Sequence, residues 1–207
     1  MNFNFLGIAF LVLLFTACKN NQQTLPFLGE TIVENGKEIH HKVGQINHYT
    51  QDSTLLTNKD LEQYIYVADF FFTSCPSICP KVAKEMLRIY NEVSDNPNVK
   101  LVSFTIDPKR DTPERLRLYA ENLGVDHKKW LFVTGDKDAT FELANTFFVA
   151  AFEDAESPGG FDHSGKILLI DKEGHVRSFS EGTDPSTTPK LIDDIKLLSE
   201  SYNTKGK

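Results

Sequence analysis

The chain has 207 residues, with 29 Asp and Glu against 22 Lys and Arg, which gives a formal net charge of −7. Apolar residues make up 40% of the sequence and include 16 Phe, so a packed core is expected and disorder throughout the chain is excluded. The excess of acidic residues argues against nucleic-acid binding, because proteins that bind nucleic acids usually carry a basic face. This length predicts one globular domain with a tail, and we expect a monomer.

An apolar segment opens the chain at Phe3–Ala17 and ends directly at Cys18. It is shorter than the roughly 20 apolar residues that a membrane-spanning helix requires. Residues 1–17 are therefore predicted to be a signal peptide. The Thr-Ala-Cys ending resembles a bacterial lipobox, which implies cleavage before Cys18 and a lipid on that residue. An uncleaved short anchor is the alternative. Both place the domain outside the cytoplasm, on the periplasmic side of a membrane to which it is tethered.

The polar chain that follows the apolar segment predicts a flexible tether over residues 18–30. A single domain is expected over residues 31–202, with a short tail at 203–207. If the first cysteine carries lipid, two cysteines remain in the domain.

The first half of the domain predicts a hairpin followed by alternating strands and helices. The Asn-Gly pair within Thr31–Ile39 is typical of a type I′ turn. Tyr64–Thr73 is nearly all apolar, as in a strand buried on both faces. Helical spacing predicts a helix over Lys81–Val93, a second buried strand covers Val99–Ile106, and the next helix starts at Pro113 and ends before a glycine.

The second half continues the alternation and then changes to a hairpin. A short strand is predicted at Trp130–Val133 and a helix around Ala139–Phe147. Lys166–Ile170 and His175–Phe179 predict two strands joined by a turn, and a closing helix starts at Thr188. This order predicts a mixed α/β sheet flanked by helices, with an N-terminal β-hairpin extension. A cysteine at the first strand-to-helix turn makes the arrangement thioredoxin-like.

Cys75 and Cys79 are spaced i, i+4 at the end of a predicted strand and the start of a predicted helix. On a helical turn, this spacing places both sulfurs on one side, where they can hold one ion or form a disulfide. The helix N-terminus stabilises thiolate, which is both the nucleophile and the metal ligand. A purely structural disulfide is the alternative, although so small a loop would constrain the unfolded chain little.

Two thiolates suit Cu(I), and an added imidazole would also suit Cu(II), whereas structural zinc takes four ligands. Six histidines are candidates for the third ligand: His40, His41, His48, His127, His163 and His175. His163 differs from the others because it follows a Gly-rich loop and enters a predicted central strand. The acidic segment 153–162, which ends just before it, is expected to be mobile because it has little to bury. The pattern alone leaves the choice of histidine open.

Four motifs follow one another in the order FFFTSCPSICP, TIDPKRDTPERLRLYA, WLFVTG and FDHSGKILLIDKEGHVR. Together they resemble the SCO (synthesis of cytochrome c oxidase) family, also called SenC-type proteins, over about Gly44–Leu198. The resemblance implies a thioredoxin-like fold and a copper site formed by Cys75, Cys79 and His163. It also implies a supporting role next to the site for Asp107.

One departure from the family pattern lies between the two cysteines. Many members have Asp where this chain has Ser77, and His is common where this chain has Ser74. The three implied ligands are all present. The changed residues bear on the redox behaviour of the pair or on partner docking.

The resemblance implies a copper metallochaperone that delivers copper to the dinuclear copper site of a respiratory oxidase subunit. The alternative is a thiol–disulfide oxidoreductase that reduces the cysteines of that site, with Cys75 attacking and Cys79 resolving. Only the first of these functions requires His163. A peroxide-reducing enzyme is the third interpretation, although peroxidases on this fold do not need two cysteines at i, i+4.

Overall fold

The structure is a computed structural model that describes residues 24–205, with side chains through Tyr202. The predicted signal peptide and Cys18 therefore lie outside the described residues. In chain order, the strands are β1 (Thr31–Glu34), β2 (Lys37–His40), β3 (Asn47–Thr50), β4 (Leu55–Thr57), β5 (Ile65–Phe71), β6 (Val99–Thr105), β7 (Trp130–Thr134), β8 (Ala151–Glu153), β9 (Phe161–His163), β10 (Lys166–Ile170) and β11 (Val176–Glu181). The helices are α1 (Asn58–Leu61), α2 (Cys79–Val93), α3 (Pro113–Leu123), α4 (Lys137–Thr146) and α5 (Thr188–Lys205).

Seven of these strands form one mixed sheet in the order β11-β10-β5-β6-β7-β3-β4. The three central strands β5, β6 and β7 run parallel, and β10 and β3 pair with them in the antiparallel direction. All seven residues of β5 are buried, as expected for a central strand covered on both faces. The structure confirms the predicted mixed sheet flanked by helices.

Aromatic rings fill both faces of this sheet because neighbouring residues of a strand point in opposite directions. On one face, Phe70 stacks on Phe104, and both contact Phe147 at the end of α4. On the other face, Phe71 and Phe132 contact each other and the ring of Tyr119 in α3. These ring contacts therefore surround the carboxyl end of β5, the strand that leads to the two cysteines.

Local sequence signals account for the limits of α3. Thr112 caps the helix by accepting a hydrogen bond from the backbone N–H of Arg115, and Pro113 is its first residue. Gly124 ends the helix in the left-handed conformation with φ of 69°. The predicted hairpin is also confirmed: β1 and β2 pair across Asn35 and Gly36, both of which have positive φ.

The structure corrects the strand predicted for His163. This residue lies in β9, which pairs only with β8 in a separate two-stranded sheet and does not join the central sheet. The segment 153–162 connects these strands and is a hairpin with a closed turn, where Asp154 N–H donates to the carbonyl of Gly160. Phe161 is buried and its ring contacts Phe72, whereas the other residues of the segment are exposed or half-buried, so the prediction that the segment has little to bury holds except at Phe161.

The structure also differs from the predicted tether over its last residues. Leu25 is buried, and Leu28 N–H donates to the carbonyl of Val176 in β11 at 2.8 Å. Arg177 donates from Nε to the carbonyl of Pro26 at 2.9 Å, and its guanidinium lies over the ring of Phe27. Residues 25–28 therefore contact β11, through the carbonyls of Leu25 and Pro26, the ring of Phe27 and the N–H of Leu28.

Four short elements, β3, β4, α1 and β8, were not predicted from the sequence. Within residues 24–205, no helix is both long enough and apolar enough to cross a membrane.

Candidate metal centre

The cysteine loop, residues 72–78, connects the end of β5 to the start of α2. Cys75 lies within this loop and is partly exposed, whereas Cys79 is the first residue of α2 and is 5% exposed. Both are free thiols. Ile78 precedes the helix and provides no side-chain cap. In the first turn, Pro80 has no N–H, Lys81 N–H donates to the carbonyl of Ile78, and the backbone N–H of Cys79 donates to the sulfur of Cys75. The sequence prediction that a helix start meets the cysteine pair is confirmed.

Asp111 fixes the beginning of the cysteine loop. This fully buried carboxylate accepts hydrogen bonds from the backbone N–H of Thr73 at 2.9 Å and from the hydroxyls of Thr73 and Thr105 at 2.5 Å. Arg115 pairs with the same carboxylate and donates from Nε to the Thr73 hydroxyl at 2.7 Å. The loop therefore leaves β5 in a fixed direction.

The histidine hairpin, residues 151–163, brings the third side chain to the two sulfurs. His163 ends β9 opposite Ala151, and its Nε2 lies 3.4 Å from the Sγ of Cys79. Its Nδ1 lies 3.3 Å from the carbonyl oxygen of Ser164, which can only accept a hydrogen bond. The proton of a neutral ring is therefore on Nδ1, which leaves the lone pair of Nε2 directed at the sulfurs.

The ligand atoms of Cys75, Cys79 and His163 all lie within 4.8 Å of one another. Within the described residues, these three side chains are the one group of three or more His, Cys, Asp or Glu that could hold a metal ion. Two sulfurs and one imidazole nitrogen form a soft, three-ligand set that fits copper better than the four-ligand sites of structural zinc.

The environment of each ligand shifts its pKa. Burial would raise the pKa of the Cys75 thiol, but hydrogen bonds from the Cys79 side chain and from the backbone of Ser77 and Cys79 lower it below its usual value. Burial raises the pKa of Cys79, and the hydrogen bond to Cys75 raises it further. Burial lowers the pKa of His163, so its ring is neutral near pH 7. Cys75 is therefore the thiol of the pair that loses its proton more readily.

Asp107, which the family resemblance placed beside the site, is connected to the cysteine loop through the side chain of Arg110. It is buried at the end of β6, and its Oδ2 lies 3.0 Å from the Nε of Arg110. Arg110 in turn contacts Ser74, next to Cys75. The sequence reasoning assigned no role to Arg110 or Asp111, although both belong to the DPKRDTP motif that supported the family resemblance.

The other histidines are held by contacts away from the sulfurs. His48 is buried, and its Nε2 lies 2.9 Å from the hydroxyl of Thr140; burial lowers its pKa to about 4. His41 donates from Nε2 to the carbonyl of Thr146. The rings of His40 and His175 contact Phe27, and His127 lies beside Asp52. The choice that the sequence pattern left open is thus decided by the tertiary structure.

The protein has a thioredoxin-like fold, with two cysteines at a strand–helix junction and a histidine beside them. These features define a class of thiol-based metal-binding proteins. Within this class, the chain belongs to the SCO1/SenC family, whose family model matches residues 36–199.

Three solved structures show the likeness. The SCO1/SenC family lipoprotein from Bacillus anthracis str. Ames is 26% identical with a TM-score of 0.70, and the match covers 77% of this chain and 95% of that one. BsSco, a member of the Sco family of cytochrome c oxidase assembly proteins with a disulfide switch, is 26% identical with a TM-score of 0.68, over 77% and 94%. Copper-bound Arabidopsis thaliana ScoI has 24% identity and a TM-score of 0.63, over 74% and 98%, and it supports the fold.

Proposed function

We propose that this protein binds copper through Cys75, Cys79 and His163 and delivers it to the dinuclear copper site of a respiratory cytochrome c oxidase. The observation that carries the proposal is the convergence of two sulfurs and one imidazole nitrogen within 4.8 Å. Membership of the SCO1/SenC family and the likeness to BsSco, a cytochrome c oxidase assembly protein, support the role in oxidase assembly.

The three ligands differ in their access to a partner. Cys79 and His163 are almost fully buried, whereas Cys75 is partly exposed and is followed by the exposed residues Pro76 and Ser77. A cysteine of the recipient subunit can therefore approach the ion from the Cys75 side and replace this thiolate first. Delivery is then a sequence of ligand exchanges, in which each new sulfur–copper bond compensates for the one that breaks.

We further propose that the mature chain begins at Cys18 and is a lipoprotein on the periplasmic side of a membrane. This rests on the apolar segment that ends at this cysteine and on the likeness to a lipoprotein of the same family. An anchored donor would meet a membrane-bound recipient by diffusion in two dimensions.

Thiol–disulfide exchange is the second candidate function, and the unequal cysteines favour it. The lowered pKa and partial exposure of Cys75 suit a nucleophile, and the buried Cys79 lies beside it. Cys75 would attack a partner disulfide and form a mixed disulfide, releasing one partner thiolate. Cys79 would then release the second, so that the partner gains two thiols while this pair becomes a disulfide. An external thiol reductant would restore the pair.

Substitution of the histidine separates the two functions. His163→Ala should weaken Cu(II) binding far more than Cu(I) binding, because two thiolates satisfy Cu(I) while Cu(II) requires the imidazole. It should also abolish oxidase assembly, and it should change the rate of thiol–disulfide exchange little, since neither attack nor resolution uses the ring. His127→Ala is the matched control. If His163→Ala binds both copper states like the wild type while assembly still requires both cysteines, the oxidoreductase function replaces the metallochaperone function.

A further inference from the structure

Arg110 follows β6 and contacts both segments that carry the metal ligands. We propose that Arg110 is a positioning residue, which fastens the histidine hairpin to the cysteine loop and so keeps His163 next to the two sulfurs. The inference rests on the proposed function for its effect on copper, and it has a structural consequence that is measured without copper.

The guanidinium group of Arg110 has one partner in each of three segments. Its Nε pairs with the carboxylate of Asp107 at 3.0 Å, after the end of β6. Its Nη1 donates to the hydroxyl of Ser74 in the cysteine loop at 3.1 Å. Its Nη2 donates to the carbonyl of Gly159 in the turn of the histidine hairpin at 3.3 Å. One side chain therefore joins the sheet, the cysteine loop and the histidine hairpin.

Asp107 is a rigid anchor for this arrangement. It is 3% exposed, and its backbone carbonyl accepts hydrogen bonds from the N–H groups of Arg110 and Asp111. Its Oδ2 is buried and makes no hydrogen bond to the described residues, so the ion pair with Arg110 is what compensates its charge. Burial raises the pKa of Asp107, and the positive charge of Arg110 opposes this rise.

The turn of the hairpin lies directly against the cysteine loop where Arg110 binds it. Gly159 has φ of +89°, and a Cβ at this position would lie 2.6 Å from the ring of Phe72 and 3.5 Å from Pro76. Outside this contact the turn is polar and charged, with Asp154 bonded to Ser157. It therefore has little apolar area of its own to hold it in place, and the bond from Arg110 to its backbone supplies a specific attachment.

Arginine is suited to this role and lysine is not. The planar fork presents Nε, Nη1 and Nη2 in fixed directions, so it can serve three acceptors at once, whereas an ammonium group is a compact charge on a flexible stem. Because the side chain of Arg110 is about half exposed, each contact by itself is worth little. The proposed role depends on the joint orientation of the three segments.

The first test is amide hydrogen exchange in the reduced, copper-free full chain. Arg110→Gln should accelerate exchange about tenfold at two amides, Asp154 N–H within the hairpin and Ser164 N–H directly after it, which donate to the carbonyls of Gly160 and Ala150. Amides of β6 and α5 should exchange as in the wild type. Arg117→Gln removes a comparably exposed arginine that pairs with Asp52 and is the matched control. Unchanged exchange at both amides would overturn the inference, irrespective of how the variant binds copper.

Further variants separate the attachment from the loss of a charge. Arg110→Lys keeps the charge and should accelerate the same two amides nearly as much as Arg110→Gln. The pair Asp107→Asn with Arg110→Gln leaves no buried charge unpaired and should still accelerate them. Ser74→Ala removes one contact and should give a smaller effect. If Arg110→Lys or the neutral pair exchanges like the wild type, charge compensation alone explains Arg110 and the positioning role is rejected.

The second test is the electron paramagnetic resonance spectrum of the Cu(II)-bound protein. Arg110→Gln should reduce the nitrogen hyperfine signal of the imidazole and weaken Cu(II) binding about tenfold, with Cu(I) binding nearly unchanged. If the wild type binds no copper, the proposed function fails while hydrogen exchange still decides the role of Arg110. If the wild type binds copper and Arg110→Gln keeps the full nitrogen signal, the positioning role fails while the proposed function stands.

Discussion

The Sγ of Cys79 and the Nε2 of His163 lie 3.4 Å apart, although 84 residues separate them along the chain. The start of α2 positions the sulfur, and the pairing of His163 with Ala151 across the histidine hairpin positions the ring. The hydrogen bond from Nδ1 to the carbonyl of Ser164 directs the free lone pair of Nε2 at the sulfur. A ligand pair of this kind exists only when the sheet, α2 and the hairpin are assembled together.

Each cysteine should be indispensable for tight copper binding. Cys75→Ser and Cys79→Ser should each weaken Cu(I) binding by at least about a hundredfold, because one thiolate and one imidazole leave a soft ion under-coordinated. Competition with a Cu(I) chelator measures the affinity. Oxidation of the wild type to the Cys75–Cys79 disulfide should have the same effect, and tight Cu(I) binding by the oxidised protein would contradict the shared site.

The lipoprotein proposal makes a prediction about the mature N-terminus. Mass spectrometry of the protein extracted from membranes should show a chain that begins at Cys18 and carries an acyl adduct. Cys18→Ala should prevent both the cleavage and the adduct. A mature chain that retains residues 1–17 would contradict lipidation and favour the uncleaved anchor.

Gly159→Ala should destabilise the histidine hairpin more than an equivalent change elsewhere. The new Cβ would lie 2.6 Å from the ring of Phe72, and an L residue at φ of +89° is strained as well. Gly36→Ala is the matched control, since Gly36 has φ of +75° but nothing within 4 Å of its added Cβ. The free energy of unfolding from urea titration should fall by about 1–3 kcal/mol more for Gly159→Ala than for the control. Equal losses would show that the turn does not press on Phe72.

The buried Asp69 should make stability depend on pH. Burial raises the pKa of Asp69 to about 7 in the folded protein, although Ser103 donates a hydrogen bond to it. The folded chain therefore binds more protons at this site than the unfolded chain between about pH 4 and 7, and stability falls as the pH rises through that range. Asp69→Asn should remove this fall, which amounts to a few kcal/mol at most. Urea titrations of both proteins from pH 5 to 8 measure the difference, and parallel curves would contradict the prediction.

The order of the main elements and the position of the cysteine pair could be predicted because their causes are local. The apolar run of β5, the Thr-Pro start and glycine end of α3, and the Asn-Gly turn each act within a few residues. The cysteine spacing at a strand–helix junction predicted that the two sulfurs lie on one side of the helix start. The choice of His163 depended on the motif that carries the family resemblance, since its own pattern did not separate it from the other five histidines.

Tertiary structure alone decided the features that depend on contacts between distant segments. His163 lies in β9 outside the central sheet, because the histidine hairpin packs its Phe161 on Phe72 of the cysteine loop. Residues 25–28, which were predicted to belong to a flexible tether, are bound to β11, because Leu25 is buried and the backbone near it forms hydrogen bonds with that strand. Arg110 joins its own turn after β6 to the cysteine loop and the histidine hairpin, through partners that lie 36 and 49 positions away along the chain. The sequence by itself determined which side chains could bind a metal. Packing and long-range hydrogen bonds determined that three of these side chains meet. The physical reason is that burial and hydrogen bonding stabilise a group only through the partners that the folded chain brings to it.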